Sequence, residues 1–137
     1  MAYLIYANES YKINGCMMEV HSELGPGFLE QVYQEALEYE FMKAGIPYKR
    51  EVHLNIKYKD ILLKKDYIAD FICYDKIIVE LKTVSDIADI HKCQVLNYLK
   101  ATGFQLGIIG NFAKKSLETA RVVNSYNLLY EWGEFKL

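Results

Sequence analysis

The chain has 137 residues, 52% of them hydrophobic and 25% charged, and carries a net charge of −2. These proportions suit one globular domain, residues 1–137, with a proper hydrophobic core, and they exclude the global basic field on which tight non-specific duplex binding rests. Cys16, Cys73 and Cys93 are far apart and form no CxxC pair, so neither a disulfide framework nor a zinc site is indicated, and all three read as packing residues.

The first stretch, MAYLIYANES, has no basic leader and only a short apolar run. No segment approaches the ~20 apolar residues that span a bilayer, so the expectation is a cytoplasmic protein without a membrane partner. Over residues 9–24, Ile13, Met17, Val20 and Leu24 recur at helical spacing, and Gly25-Pro26-Gly27 ends the run. A second helix is predicted from Phe28 to Ala44, stopped by Gly45. Val52, Leu54, Ile56 and Tyr58 then alternate with His53, Asn55 and Lys57, as in a half-buried strand.

Two further apolar runs, Tyr67–Tyr74 and Ile77–Leu81, flank Asp75-Lys76 and read as a hairpin whose first arm begins near Leu62. Ile87 to Lys100 is a third predicted helix, closed by Gly103. Gln105 to Phe112 is a short strand buried on both faces. Leu117–Val123 is ambiguous between edge strand and short helix, and Val122-Val123 favour the strand. Tyr126–Leu137 is aromatic and reads as packed. The order ααβββαβ(β) suits a mixed sheet flanked by helices. The strand–helix–strand crossover through residues 87–100 implies a parallel pair with a right-handed connection.

The central hairpin carries the chemistry. Alternation places Ile68, Asp70 and Ile72 on one face of the first arm, and Ile78, Glu80 and Lys82 on one face of the second. A three-residue loop centred on Asp75 sets Asp70 opposite Glu80, with Cβ atoms roughly 5 Å apart, where like charges destabilise. A hard divalent cation, Mg²⁺ or Mn²⁺, would reconcile them, with the backbone carbonyl of Leu81 as a third oxygen. Such a cation would acidify a water and offset charge on a phosphate oxygen. Lys82 would orient the attacking water or stabilise developing negative charge. The bland alternative is a surface cluster in which Lys82 neutralises two acids.

Glu30 is N3 of the second helix if that helix begins at Gly27, which suits a carboxylate by capping alone. The functional alternative aims it at the same cation. His91, Gln94 and Tyr98 form one stripe on the third helix. Gln94 and Tyr98 could hydrogen-bond a phosphate or base, and His91 could do likewise or move a proton; otherwise they form a half-exposed rim. Lys57, Lys59, Lys64, Lys65, Lys114 and Lys115 are solvated strand ends or phosphate contacts.

Taken together, Gly27-Phe28-Leu29-Glu30-Gln31-Val32-Tyr33, Asp70, Val79-Glu80-Leu81-Lys82, His91, Gln94 to Lys100 and Asn111-Phe112 resemble the GxxExxY protein family, a branch of the PD-(D/E)xK nuclease superfamily. The resemblance spans about residues 9–124, and Gln94 and Tyr98 resemble the QxxxY motif of its RecB-like exonucleases. Ala69 stands where the superfamily's nominal proline would precede Asp70. The resemblance implies an α/β, restriction-endonuclease-like αβββαβ core. It makes Asp70 and Glu80 metal ligands, Lys82 the catalytic lysine and Glu30 an auxiliary acid. It groups Tyr33, His91, Gln94 and Tyr98 as residues that bind or position nucleic acid. The implied activity is metal-dependent hydrolysis of DNA. The alternative is a non-catalytic nucleic-acid-binding or protein-interaction module that retains the fold. So small a core leaves few elements to wrap a duplex, which makes a homodimer or partner subunit an expectation.

Overall fold

The computed structural model describes residues 4–124. Helix α1, Ala7–Leu24, buries Ile13, Met17 and Val20 and stops at Gly25. Helix α2, Glu30–Ala44, buries Tyr33, Gln34, Leu37 and Phe41. It ends at Gly45, which adopts a φ of 72° while its N–H and that of Ile46 close on the carbonyls of Met42 and Phe41. This left-handed cap is why glycine stands there. The helix starts two residues later than its apolar pattern predicts. Leu29 is the N-cap, and Glu30 is therefore N1, the first helical residue, and not N3.

Strands β1 (Tyr48–Tyr58), β2 (Ile61–Cys73), β3 (Ile77–Lys82), β4 (Leu106–Asn111) and β5 (Glu118–Val123) form one sheet in sequential order, with helix α3 (Asp89–Thr102) between β3 and β4. Only β3 and β4 are parallel, as the crossover through α3 requires; the other pairs are antiparallel. The segment left open between strand and helix is strand β5. The stretch Tyr126–Leu137 lies outside the described residues.

The sheet has a core on each face. Helices α1 and α2 pack on Phe71, Cys73, Ile77, Val79, Leu81, Ile108 and Phe112. Helix α3 packs on the other side through Val95, Tyr98 and Leu99, against Leu54, Ile72, Ile78, Ile109 and Val122. Full burial of each such aliphatic or aromatic side chain contributes about 1.5–3 kcal/mol. Two glycines in β4 permit the close approach of both layers. A Cβ on Gly107 would lie 2.3 Å from Val95 Cγ1 of α3, and one on Gly110 would lie 2.6 Å from Met17 Sδ of α1. Cys16 and Cys73 are packing residues as expected; Cys93 is exposed on α3 and is not. Among the described residues no helix is long and apolar enough to cross a membrane.

One irregularity shapes everything near Asp70. Phe71 and Cys73 of β2 face the α1–α2 layer, whereas Tyr67 and Ala69 pack on the α3 side. On β1, Arg50 reaches α2 while Val52 and Leu54 join the α3 core. The alternation of both strands thus reverses between these residues. Glu51, which stands opposite Asp70, has a left-handed φ of 53°. That single non-glycine residue in the left-handed region breaks the period of two. Ile68 and Asp70 consequently open toward α2 while Ile72 packs on the α3 side, so the three do not share a face as simple alternation predicts.

Candidate active site

The β2–β3 hairpin pairs Cys73 with Ile77, Ile72 with Ile78 and Phe71 with Val79. This register continues to Asp70 opposite Glu80, but there the backbone ladder stops and side chains take over. Asp70 N–H donates to Glu80 Oε1 at 2.7 Å, and Leu81 N–H donates to Asp70 Oδ2 at 2.8 Å. Each acid therefore accepts one strand N–H at the fork where β2 and β3 part. Of the second oxygens, Glu80 Oε2 is left for other work and Asp70 Oδ1 has only a long contact with the Gln34 amide at 3.5 Å.

Burial raises the pKa of Glu80 most, and the Asp70 charge adds to it. Asp70 is likewise raised, first by burial and then by Glu30 and Glu51, although the Leu81 N–H and Lys82 pull the other way. Two buried acids that repel each other hold protons well above the ordinary carboxylate range. The pair titrates as a unit.

Lys82 lies two residues beyond Glu80, and its Nζ donates to Gln94 Oε1 of α3 at 2.8 Å. The loop joining β3 to α3 is pinned from below by the fully buried Asn111. Its Oδ1 accepts the Val84 N–H at 3.1 Å, while its Nδ2 donates to the Val84 carbonyl at 2.9 Å and to Glu118 Oε1 at 3.0 Å. Glu118 Oε1 also takes the Ile87 N–H. Lys82 and Gln94 are thus held from both ends of a fixed loop.

On the α2 side Asp70 opens into a cavity of about 370 Å³ lined by Glu30, Gln31, Gln34, Glu51, His53, Ile68, Asp70 and Leu81. Gln34 Nε2 lies 3.5 Å from Asp70 Oδ1. Its Oε1 accepts from Arg50 Nη2 at 3.0 Å, and Arg50 Nη1 bonds Glu38 at 3.1 Å. With its acceptor end taken by a guanidinium, the Gln34 amide can only present N–H groups to Asp70. Gln34, Arg50, Glu51 and His53 were not singled out from the sequence. Gln34 could have been, since it falls four residues after Glu30 on the same helical face. Nothing in the residue type at Glu51 signals its backbone.

The remaining candidates divide by where the fold puts them. Glu30 is exposed at the start of α2, on the cavity wall, and its charge raises both acids. Among the described residues, however, no three His, Cys, Asp or Glu side chains lie close enough to hold a metal together, so Glu30 does not close on Asp70 and Glu80 as a third carboxylate. Tyr98 is buried against Tyr67, with ring centroids 5.3 Å apart. Burial, then the charges of Glu80 and Asp70, push its hydroxyl up to about 12. His91 Nδ1 accepts the Ala88 N–H at 2.8 Å, which spends that nitrogen on the first turn of α3.

Tyr33 needs a correction. Its side chain is wholly buried, stacked on Phe112 at 4.8 Å, so it offers no surface to nucleic acid. Its hydroxyl donates to the Gly25 carbonyl and accepts the Phe28 N–H. Those two bonds clamp the turn through Gly27, whose φ is 112°, and so set where α2 and Glu30 begin. The spacing of Gly27, Glu30 and Tyr33 is then a device for placing one acid.

The donor set suits a hard cation. Two carboxylates beside a strand backbone, each with one oxygen not engaged by a strand N–H, match the habit of Mg²⁺, which takes one or two carboxylates and completes its shell with water and phosphate oxygens. Burial first, and then neighbouring carboxylate charge, raises both acids, and a cation at the fork would offset both causes.

None of the curated proteins compared matches the chain. Among solved structures, the crystal structure of SSO0001 superposes with a TM-score of 0.57 at 20% identity. The match covers 69% of this chain and 49% of that one, so the chain spans about half the length of that relative and shares its fold. A family model described as the PD-(D/E)XK nuclease superfamily matches residues 7–122, nearly all of the described chain, and the fork of Asp70, Glu80 and Lys82 falls inside it. The chain belongs to the PD-(D/E)XK nuclease superfamily.

Proposed function

We propose that the protein is a metal-dependent phosphodiester hydrolase acting on DNA. Within the superfamily we assign it to the GxxExxY, RecB-like branch on the strength of Gly27, Glu30, Tyr33, Gln94 and Tyr98. The observation that carries the reading is the fork: Asp70 and Glu80 brought together by the hairpin register, with Lys82 beside them on a fixed hydrogen bond. Nucleases of this superfamily typically use divalent metals. A divalent cation held by Asp70, Glu80 and the Leu81 carbonyl would polarise a phosphate oxygen and acidify a water.

The chain's own residues do the rest. Gln94 holds the Lys82 ammonium where it can orient the attacking water and stabilise the charge that develops as the 3′-oxygen leaves. Gln34, fixed by Arg50, orients Asp70. Glu30 stands at the cavity mouth as an auxiliary acid, and Tyr98 and His91 keep α3 in register with the fork. Labelled single-stranded, duplex and branched DNA should be cleaved with Mg²⁺ or Mn²⁺, and Lys82→Ala should lose at least 10²-fold in rate. Absence of cleavage on every substrate, or cleavage that survives Lys82→Ala, removes the reading.

One observation supports a second reading. Each acid already accepts a strand N–H, so the pair also works as a structural stitch, as a non-catalytic nucleic-acid-binding or interaction module would keep it. In that case Mn²⁺ would leave stability unchanged.

A further inference from the structure

Strands β1 and β2 run well past the rest of the sheet. The β2–β3 ladder reaches only Phe71, whereas β1 and β2 stay paired out to Tyr58 and Ile61. The result is a two-stranded arm, rooted where Leu54 and Tyr67 pack on α3, with a two-residue turn at Lys59-Asp60. Its tip is unusual on two counts. Tyr58, Ile61 and Leu62 are 56%, 60% and 65% exposed, an apolar cluster with no partner layer among the described residues. Residues 57–65 also carry Lys57, Lys59, Lys64 and Lys65 against the single acid Asp60, in a chain whose net charge is −2. Four of the chain's 16 lysines and arginines fall within these nine residues, a local positive excess on the ribbon. Lys59 Nζ lies 5.6 Å from the Tyr58 ring centroid, so cation and aromatic share one surface.

The arm is continuous with the cavity. His53 and Ile68, which line the cavity beside Asp70, sit on the two strands that become the ribbon, and His53 Nδ1 pairs with Asp66 Oδ2 at 2.8 Å across it. We propose that the β1–β2 arm is a duplex-binding element that grips double-stranded DNA on one side of the phosphate presented to Asp70 and Glu80. This rests on the hydrolase reading above.

Charge complementarity selects the occupant. Four lysines on a narrow ribbon match a polyanion, and a two-stranded β-ribbon is of a size the major groove admits. Exposed aliphatic and aromatic side chains at a ribbon tip are the kind that wedge against or between base steps. The length follows from strand rise. Eight or nine residues separate Asp70 from the tip, roughly 25–30 Å, or about 8 base pairs of duplex.

The test is binding of fluorescent duplexes of about 20 and about 6 base pairs in chelator, with cleavage of the longer one followed separately in Mn²⁺. The full-length chain should bind the long duplex, and the variant K64E/K65E should bind it at least tenfold more weakly, with a log–log salt slope smaller by about two. Leu62→Ala should weaken binding without changing that slope. The short duplex, about 20 Å long, reaches from the fork to Lys64 and Lys65 but not to the tip, so Leu62→Ala should bind it as wild type does. Far-ultraviolet circular dichroism of each variant, expected to match wild type, is the control for the fold.

Equal affinity of wild type and K64E/K65E for the long duplex overturns the arm proposal, even if cleavage is normal. Arm-dependent binding without cleavage supports the arm and removes the hydrolase reading. A concentration-dependent dimer lost in Leu62→Ala, with DNA binding unaltered, would make the tip a protein contact and overturn the proposal.

Discussion

Asp70 and Glu80 put a pH-dependent strain on the metal-free protein. Their pKa values are raised on folding, chiefly by burial, so the folded state binds protons where the unfolded chain has released them. Stability contributed by the protonated acids is complete below about pH 4, where the unfolded carboxylates still carry protons, and is lost as pH rises through the folded values. For Glu80 that loss extends to about 8. Urea denaturation in chelator should therefore show stability falling from mildly acidic to mildly alkaline pH. Asp70→Asn removes one charge and keeps an oxygen for the Leu81 N–H. It should flatten the profile and be more stable than wild type at the alkaline end, by on the order of 1–3 kcal/mol. A profile of unchanged slope in Asp70→Asn would place the strain elsewhere.

At the scale of elements, the site depends on how closely α3 lies on the sheet and on where α2 begins. Gly107 of β4 allows the first, because Val95 Cγ1 occupies the space of its missing Cβ, and Val95 follows Gln94. Gly107→Ala should displace α3, costing roughly 1–3 kcal/mol in urea denaturation, and should lower cleavage further by drawing Gln94 away from Lys82. Normal activity in that variant would show that the Lys82–Gln94 bond is dispensable. The start of α2 depends on Tyr33, whose hydroxyl links Gly25 and Phe28. Tyr33→Phe keeps the stack on Phe112 and leaves the Phe28 N–H without its acceptor. A cost of about 1–2 kcal/mol is expected, with a slower rate through the displaced Glu30. Retention of both stability and rate would separate the turn from Glu30.

Across the whole molecule, a cation that binds only the folded state stabilises it by mass action. At a hundredfold excess over its dissociation constant Mn²⁺ should add about 2.7 kcal/mol, on the order of 5–10 °C in Tm for a domain of this size. Asp70→Asn should lose that gain, and wild type should gain more as pH rises and the acids shed their protons. The architecture behind this was legible in the chain. Helix stops at Gly25, Gly45 and Gly103, the apolar runs of β3 and β4, and the break at Asp75-Lys76 each mark a local event that tertiary contacts reinforce. Because the hairpin register follows from its loop, the pairing of Asp70 with Glu80 was legible as well. The reversal at Glu51 was not. A left-handed glutamate is imposed by the sheet and leaves no trace in residue type, so Gln34, Arg50, Glu51 and His53 gave no reason to be joined to Asp70. Tyr33 was misplaced for the opposite reason, since its spacing from Glu30 marks a shared task without saying which side of the turn the ring enters.

The fork also governs how this protein should be dissected. Because the carboxylates of Asp70 and Glu80 stand in for two missing rungs of the β2–β3 ladder, an alanine at either position would unpair a buried strand N–H along with deleting an acid. Its lost activity would then report partly on a frayed hairpin, indistinguishable from lost chemistry in a single assay. Asparagine and glutamine, which keep a carbonyl oxygen for the strand, are the substitutions that silence the acids and leave the sheet sewn shut.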